Sequence, residues 1–186
     1  MKALRSLLNR FVAAVLVLLF AFGPSFADQA TLDDLFSRLP DASEDEAQRI
    51  TESIWIEWSK SGSASMDLLL ERGRDAMAAG EFNAAIEHFT ALIDHAPDFA
   101  EAYNARATAY YQTGDLGPSV ADIAKALDLN PRHFGALSGL GMIFEEIGRP
   151  EKALEAYRAA LSVNPHLSEV NESVQRLEAD LAGQDL

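Results

Sequence analysis

Glycine and proline recur in this chain at a fixed step. Gly80, Gly114 and Gly148 lie 34 residues apart, and so do Pro97, Pro131 and Pro165. The same step links Gly73, Ala107 and Gly141, then Ala85, Ser119 and Ala153. It also links Ala76, Tyr110 and Phe144, then Phe89, Ile123 and Tyr157. Two backbone-punctuating residue types coinciding at one period divide the chain into units 66–99, 100–133 and 134–167. A unit of this size cannot bury its apolar face alone, so the units must stack on one another.

Each unit reads as two helices. Leu69, Gly73 and Ala76 share one helical face, and Gly80 ends that helix as a residue tolerant of positive φ. Ala85, Phe89 and Leu92 mark the second helix, and Pro97 closes the unit. Small residues at Gly73, Ala107 and Gly141, and at Ala85, Ser119 and Ala153, allow the two helices to approach closely. Phe89, Ile123 and Tyr157 fill the space beyond them. Pro118 and Pro150 fall near the starts of second helices, where a missing N–H costs nothing.

This order of large, small and aromatic residues on the first helix, Ala and aromatic on the second, and a closing Pro resembles the tetratricopeptide repeat (TPR) family. The pattern is met at Tyr103, Ala107, Tyr110, Ile123 and Pro131, and again at Leu137, Gly141, Phe144, Ala153, Tyr157 and Pro165. Ala76 stands where the family usually has an aromatic, and Ser119 where it has Ala. The resemblance implies an all-α fold: a right-handed α-solenoid of three helix hairpins whose first helices line a concave face. It also implies a general role in binding protein segments, with no cofactor. Some family members clamp a C-terminal carboxylate with Lys and Asn from successive first helices. Leu70, Arg74, Ala105, Gly135 and Gly139 occupy the matching positions here, so that clamp is not carried over.

The ends of a solenoid need amphipathic covers. Leu167, Val170, Val174, Leu177 and Leu181 form one stripe of a C-terminal capping helix over 168–186, begun by Ser168 and ended by Gly183. Residues 28–65 read as N-terminal capping helices and a linker. A short helix Thr31–Leu39 ends at Pro40, and a capping box of Ser43 with Glu46 starts a second that runs to about Trp58. Trp55 and Trp58 either pack on the first repeat or grip a partner. Ser59–Ser65 is linker-like.

Residues 1–27 hold three bases, Lys2, Arg5 and Arg10, and no acid. An apolar run of 12 residues follows from Phe11 to Phe22, then small residues at Ser25 and Ala27. This order predicts a signal peptide cleaved after Ala27 and a protein of the periplasm or secreted. The run is short of the ~20 residues that span a bilayer, so membrane attachment requires an uncleaved N-terminus. With the leader, the resemblance is to short exported repeat proteins of bacterial envelopes.

The whole chain of 186 residues carries 15 bases and 29 acids, a net charge of −14, which becomes −17 after residue 27. Such a surface repels phosphate backbones and argues against nucleic acid as partner. The chain has no cysteine, which removes disulfides, thiolate metal sites and cysteine nucleophiles. No phosphate-binding glycine loop, nucleophile elbow or His-Glu-x-x-His is present, so an enzyme is disfavoured. His95, His133 and His166 fall at turns along one edge and read as solvated, the alternative being a weak metal site. The adjacent Glu145 and Glu146 read as part of a solvated acidic face, since neighbours on a helix point apart.

The concave face is the expected binding surface. Burying Gly73, Ala107 and Gly141 turns residues about one position away toward the groove. Arg74, Met77, Asn104, Thr108, Tyr111, Ser138 and Met142 are therefore the candidate peptide-binding residues. Arg72, Arg74 and Arg106 either pair internally with Glu71 and Glu101 or receive a partner's carboxylate. Gly135 and Gly139 also face the groove and admit either a ligand backbone or close packing on the C-terminal helix. A protein or peptide partner with a neutral to basic segment is expected.

Overall fold

The computed structural model describes residues 29–184, so the leader and its cleavage after Ala27 lie outside the described residues. The helices are α1 (Gln29–Arg38), α2 (Glu44–Trp58), α3 (Ala64–Ala78), α4 (Phe82–His95), α5 (Ala100–Thr113), α6 (Leu116–Leu129), α7 (Phe134–Glu146), α8 (Pro150–Val163) and α9 (Ser168–Gln184). Hairpins α3–α4, α5–α6 and α7–α8 stack in order, each second helix packing on the next first helix, and α9 packs on α8. The result is an α-solenoid.

The period of the sequence becomes a period of turns. Gly80, Gly114 and Gly148 sit at φ 75°, 80° and 68°, the left-handed region that β-carbons disfavour. At each turn the following residue's N–H reaches back across the helix end: Glu81 to Ala76 O at 2.9 Å, Asp115 to Tyr110 O at 2.9 Å, and Arg149 to Phe144 O at 2.8 Å. These bonds satisfy carbonyls that a helix end leaves without partners.

Close approach within the hairpins also follows the pattern. A β-carbon at Gly73 would overlap the ring of Phe89, and one at Gly141 the ring of Tyr157. In the middle hairpin Ser119 is fully buried, and its hydroxyl donates to the Ala107 carbonyl at 2.8 Å. That bond explains how a hydroxyl stands where the family has alanine: a buried donor is tolerated when it is paired. Phe89, Leu92, Ala102, Ala109, Ala126 and Ile143 belong to one continuous core across the units. Val170, Val174, Leu177 and Leu181 of α9 cover Phe144, Ala153, Leu154 and Tyr157. The helix starts at Ser168 and runs through Gly183 to Gln184. Leu167 leaves this stripe and joins the N-terminal cluster.

The N-terminal helices differ from expectation. They do not simply cap the first repeat but lie along the edge formed by the turns between units. Leu32, Leu35, Leu39, Ala47, Ile50, Ile54 and Trp58 form a second core with Phe134, joined by Trp55, Val163 and Leu167. Arg132 donates to Asp33 at 2.7 Å and covers the ring of Phe36. Asn164 donates to Thr51 Oγ1 at 3.1 Å, and His166 Nε2 donates to the Leu39 carbonyl at 2.9 Å. The large apolar faces of α1 and α2 find their complement at Phe134, Val163 and Leu167, which the first repeat does not offer. Ser43 precedes α2 but makes no side-chain cap bond, and the Glu46 carboxylate is held by Arg38 at 3.1 Å.

Candidate functional site

First helices α3, α5 and α7 line the concave face, and its two ends are built differently. At the end where these helices begin, the groove is filled by the chain itself. Arg74 donates to Glu101 at 2.6 Å and to Ser59 Oγ at 3.0 Å, and Asn104 donates to the other Glu101 oxygen at 3.2 Å. That oxygen also meets His133 Nε2 at 3.0 Å. His133 Nδ1 accepts the Ala136 N–H at 3.1 Å and caps α7, which leaves Nε2 as the donor to the carboxylate. His133 is fully buried and not the solvated turn residue its position suggested, because Trp58 stacks on it at 4.3 Å between centroids.

Trp55 closes the same end from the side. A β-carbon at Gly135 would lie 2.5 Å from its indole, so the missing side chain there admits the chain's own tryptophan. This is neither of the two roles its sequence position offered. Arg74 follows the internal-pairing alternative, with Glu101 as partner. Arg106 is also paired internally, but with Asp122, through two bonds of 2.7 and 2.9 Å, and with Thr90 at 3.0 Å. Hydrogen bonding to Asp122 raises the Arg106 guanidinium above its ordinary value.

The other end of the groove is open. Thr108, Tyr111 and Met142 meet around a cavity of about 100 Å³, whose lining is completed by Ala107, Gln112, Ser119, Ile123, Gly139 and Ile143. Beside it lies a depression of about 620 Å³ bounded by Tyr111, Met142, Glu145, Glu146, Tyr157, Ser173 and Arg176. Met142 is 47% exposed and Thr108 is exposed, its hydroxyl donating to the Asn104 carbonyl at 3.0 Å. Ser138 is half-buried and donates to the Phe134 carbonyl at 2.8 Å. Met77 is half-buried against the main core. Of the seven candidates, Thr108, Tyr111 and Met142 thus converge on one cavity, Arg74 and Asn104 are held at Glu101, and Met77 and Ser138 are spent on packing or on their own helix.

Carboxylates set the electrostatics of the open end. A hydrogen bond to Glu146 raises the Tyr111 hydroxyl above its ordinary value, with desolvation and the charges of Glu146 and Glu145 adding to it. Burial, then the Glu145 charge, pushes Tyr157 up to about 12. Glu145 accepts from Arg176 at 2.8 Å and from the Tyr157 hydroxyl at 3.3 Å. A larger cavity, about 680 Å³, lies between Leu32 and Trp58 on one side and Phe99, Pro131 and Arg132 on the other. It sits along the turn edge and reaches Glu101 and His133 at the filled end of the groove. Among the described residues no cluster of His, Asp or Glu has metal-binding geometry, and no helix is long and apolar enough to cross a membrane.

Comparison with known proteins gives the same repeat. The tetratricopeptide repeat pattern matches residues 70–117 and 135–167. A TPR repeat-containing protein of Rhizobium etli is 36% identical over 160 residues, which are 86% of this chain and 78% of that protein. Small glutamine-rich tetratricopeptide repeat-containing protein 2 of Saccharomyces cerevisiae is 30% identical, over 68% of this chain but only 37% of its own length. Among solved structures, the Sgt2 TPR domain of Aspergillus fumigatus superimposes with a TM-score of 0.62 at 23% identity, covering 66% of this chain and 83% of that one. The first TPR of Spaghetti (RPAP3), bound to an HSP90 peptide, does so with a TM-score of 0.60 at 24% identity, covering 63% and 93%. The glycine turns, the ring-over-glycine hairpins and a relative matched over most of both chains lead to one assignment: the chain belongs to the tetratricopeptide repeat family.

Proposed function

We propose that the protein is a non-enzymatic interaction module of the bacterial envelope, exported to the periplasm, which holds a segment of a partner protein in its concave groove. The observation that carries this reading is the open end of the groove. Tyr111, Met142 and Thr108 stand there around an unfilled cavity, and Met142 is one of four exposed large apolar side chains among the described residues. Aromatic and thioether groups on a concave helical surface suit a peptide better than a small polar metabolite. The solved neighbour bound to an HSP90 peptide supports a peptide ligand in this class of groove. The acidic end of that peptide is not carried over. Arg74 is already taken by Glu101, and Glu145 and Glu146 border the opening, so a neutral to basic segment is the complement.

Capture from envelope extract tests the groove. Tyr111→Ala should lower recovery of the partner, and Ile56→Ala, on the exposed side of α2, should not. Loss with Ile56→Ala alone would place binding on the N-terminal helices. Export is tested by the mass of the folded product. A start at Asp28 leaves 159 residues, whereas an intact Met1 means a membrane-tethered assembly factor.

A further inference from the structure

Four glycines lie within the first helices of the repeats, and three have a packing reason. Gly73 lies under Phe89, Gly141 under Tyr157 and Gly135 under Trp55. Gly139 has none. A β-carbon there would meet only Ile123 Cδ1, at 3.6 Å, an ordinary van der Waals contact. Glycine inside a helix weakens it relative to alanine, so the fold alone does not account for this residue. What its missing side chain does is leave open the cavity of about 100 Å³ between α5, α6 and α7.

The cavity is chemically apolar although Thr108, Tyr111, Gln112 and Ser119 contribute to its lining. Ser119 is committed to the Ala107 carbonyl and Thr108 to the Asn104 carbonyl. Ala107, Ile123 and Ile143 supply the rest of the floor, and the Tyr111 ring and Met142 thioether form the mouth. An apolar hole of this kind gains little from water and favours an aliphatic group. Just outside, Glu145 is already engaged by Arg176 and Tyr157, whereas Glu146 is exposed, makes no ion pair among the described residues and keeps acceptor capacity.

We infer that the Gly139 cavity is a side-chain pocket for the partner's segment, taking an aliphatic residue of leucine or valine size, with an adjacent Lys or Arg reaching Glu146. This rests on the groove reading above and narrows it to a sequence preference. The net charge of −14 favours the same partner at longer range. Gly139 acts here by absence, Tyr111 and Met142 as walls that hold the aliphatic stem, and Glu146 as the charge partner.

The test uses a phage-displayed library of random 12-residue peptides panned on the full chain, with selected peptides re-measured by fluorescence polarisation. Peptides pairing an aliphatic residue with a neighbouring Lys or Arg should be enriched. Gly139→Leu, which fills the pocket from inside, should weaken them at least about tenfold, and Gly139→Ala by about threefold while the thermal midpoint holds or rises. Replacing the peptide's aliphatic residue by Ala should cost as much against the wild type and nothing further against Gly139→Leu. Glu146→Gln should weaken binding by about threefold and flatten its salt dependence. Three outcomes overturn the pocket: no enrichment, enrichment without aliphatic–basic pairing, or full affinity in Gly139→Leu. If selected peptides still lose affinity with Tyr111→Ala in that last case, the groove reading survives and only the pocket falls. If neither variant matters, both fall.

Discussion

The indole of Trp58 lies flat on the imidazole of His133, 18° from parallel, and covers the hydrogen bond between His133 and Glu101. Trp55 packs edge-on against both rings, and Phe134 lies tilted against Trp58 at 4.9 Å between centroids. One N-terminal tryptophan therefore seals a buried polar pair that spans the second repeat and caps the start of α7. Trp58→Ala should destabilise the protein by about 3–5 kcal/mol, the range for deleting a buried large aromatic. A urea titration reads this as a lower midpoint. An unchanged midpoint would mean that α2 leaves the repeats in solution.

Arg106 and Asp122 form the most enclosed ion pair of the repeats, with side chains 16% and 10% exposed. Arg106→Leu strands the carboxylate and should cost about 3 kcal/mol. Adding Asp122→Leu should recover most of that loss, because two apolar residues replace two charges. Thermal midpoints of the single and double variants measure it. No recovery would assign the loss to the cation–π contacts of Arg106 with Tyr103 and Tyr110.

Gly141→Leu should destabilise by about 1–3 kcal/mol, since any side chain there meets the ring of Tyr157. Glu146→Gln, five residues on and exposed, should change stability by less than about 0.5 kcal/mol. Equal urea midpoints for the two would contradict the hairpin packing.

Deleting Ser168–Leu186 uncovers Phe144, Leu154 and Tyr157 of the last hairpin. The truncated protein should self-associate on a sizing column. A monodisperse and fully helical product would show that α9 is dispensable as a cover.

Tyr157 is held protonated well above the ordinary phenol value of 10.0, with its ionisation near 12. A folded-state value raised in this way stabilises the fold fully below pH 10 and loses its contribution as the pH climbs through about 12. Phenolate absorbance should show Tyr157 among the last of the four tyrosines to ionise. Tyr157→Phe should remove that late step.

The solenoid was legible because its determinants are local. Gly80, Gly114 and Gly148 mark turns that need positive φ, and Gly73 and Gly141 mark ring contacts within their own hairpins. The direction of α1 and α2 was not legible. It depends on Phe134, Val163 and Leu167 presenting one continuous apolar surface, a property of stacked units that no periodicity encodes. His133 was misread for the same reason: its turn is exposed in a bare repeat and becomes interior only beneath Trp58. At the groove, Tyr111, Thr108 and Met142 line one cavity because they follow the repeat register. For Arg74 the sequence leaves pairing with Glu101 and reception of a partner's carboxylate both open, because Glu101 and Ser59 lie 27 and 15 residues away. For Gly139 the sequence leaves a ligand backbone and packing on the C-terminal helix both open, and its surroundings, with only Ile123 near at 3.6 Å, remove the second.

Repeat arrays ordinarily make contacts only between neighbours, so they can unravel from either end. Here the hydrogen bonds from α1, α2 and the turn after α1 join residues 99, 113 and 127 positions apart, tying these helices to the second repeat and to the close of the third, just before the final helix. These ties raise the contact order, so loop closure must precede much of the stabilisation and folding slows relative to an open array of equal length. They also couple the end helices energetically. Amide protons of α9 and α2 should exchange with shared rather than separate opening free energies, and the array behaves as a closed ring of interactions in place of a line.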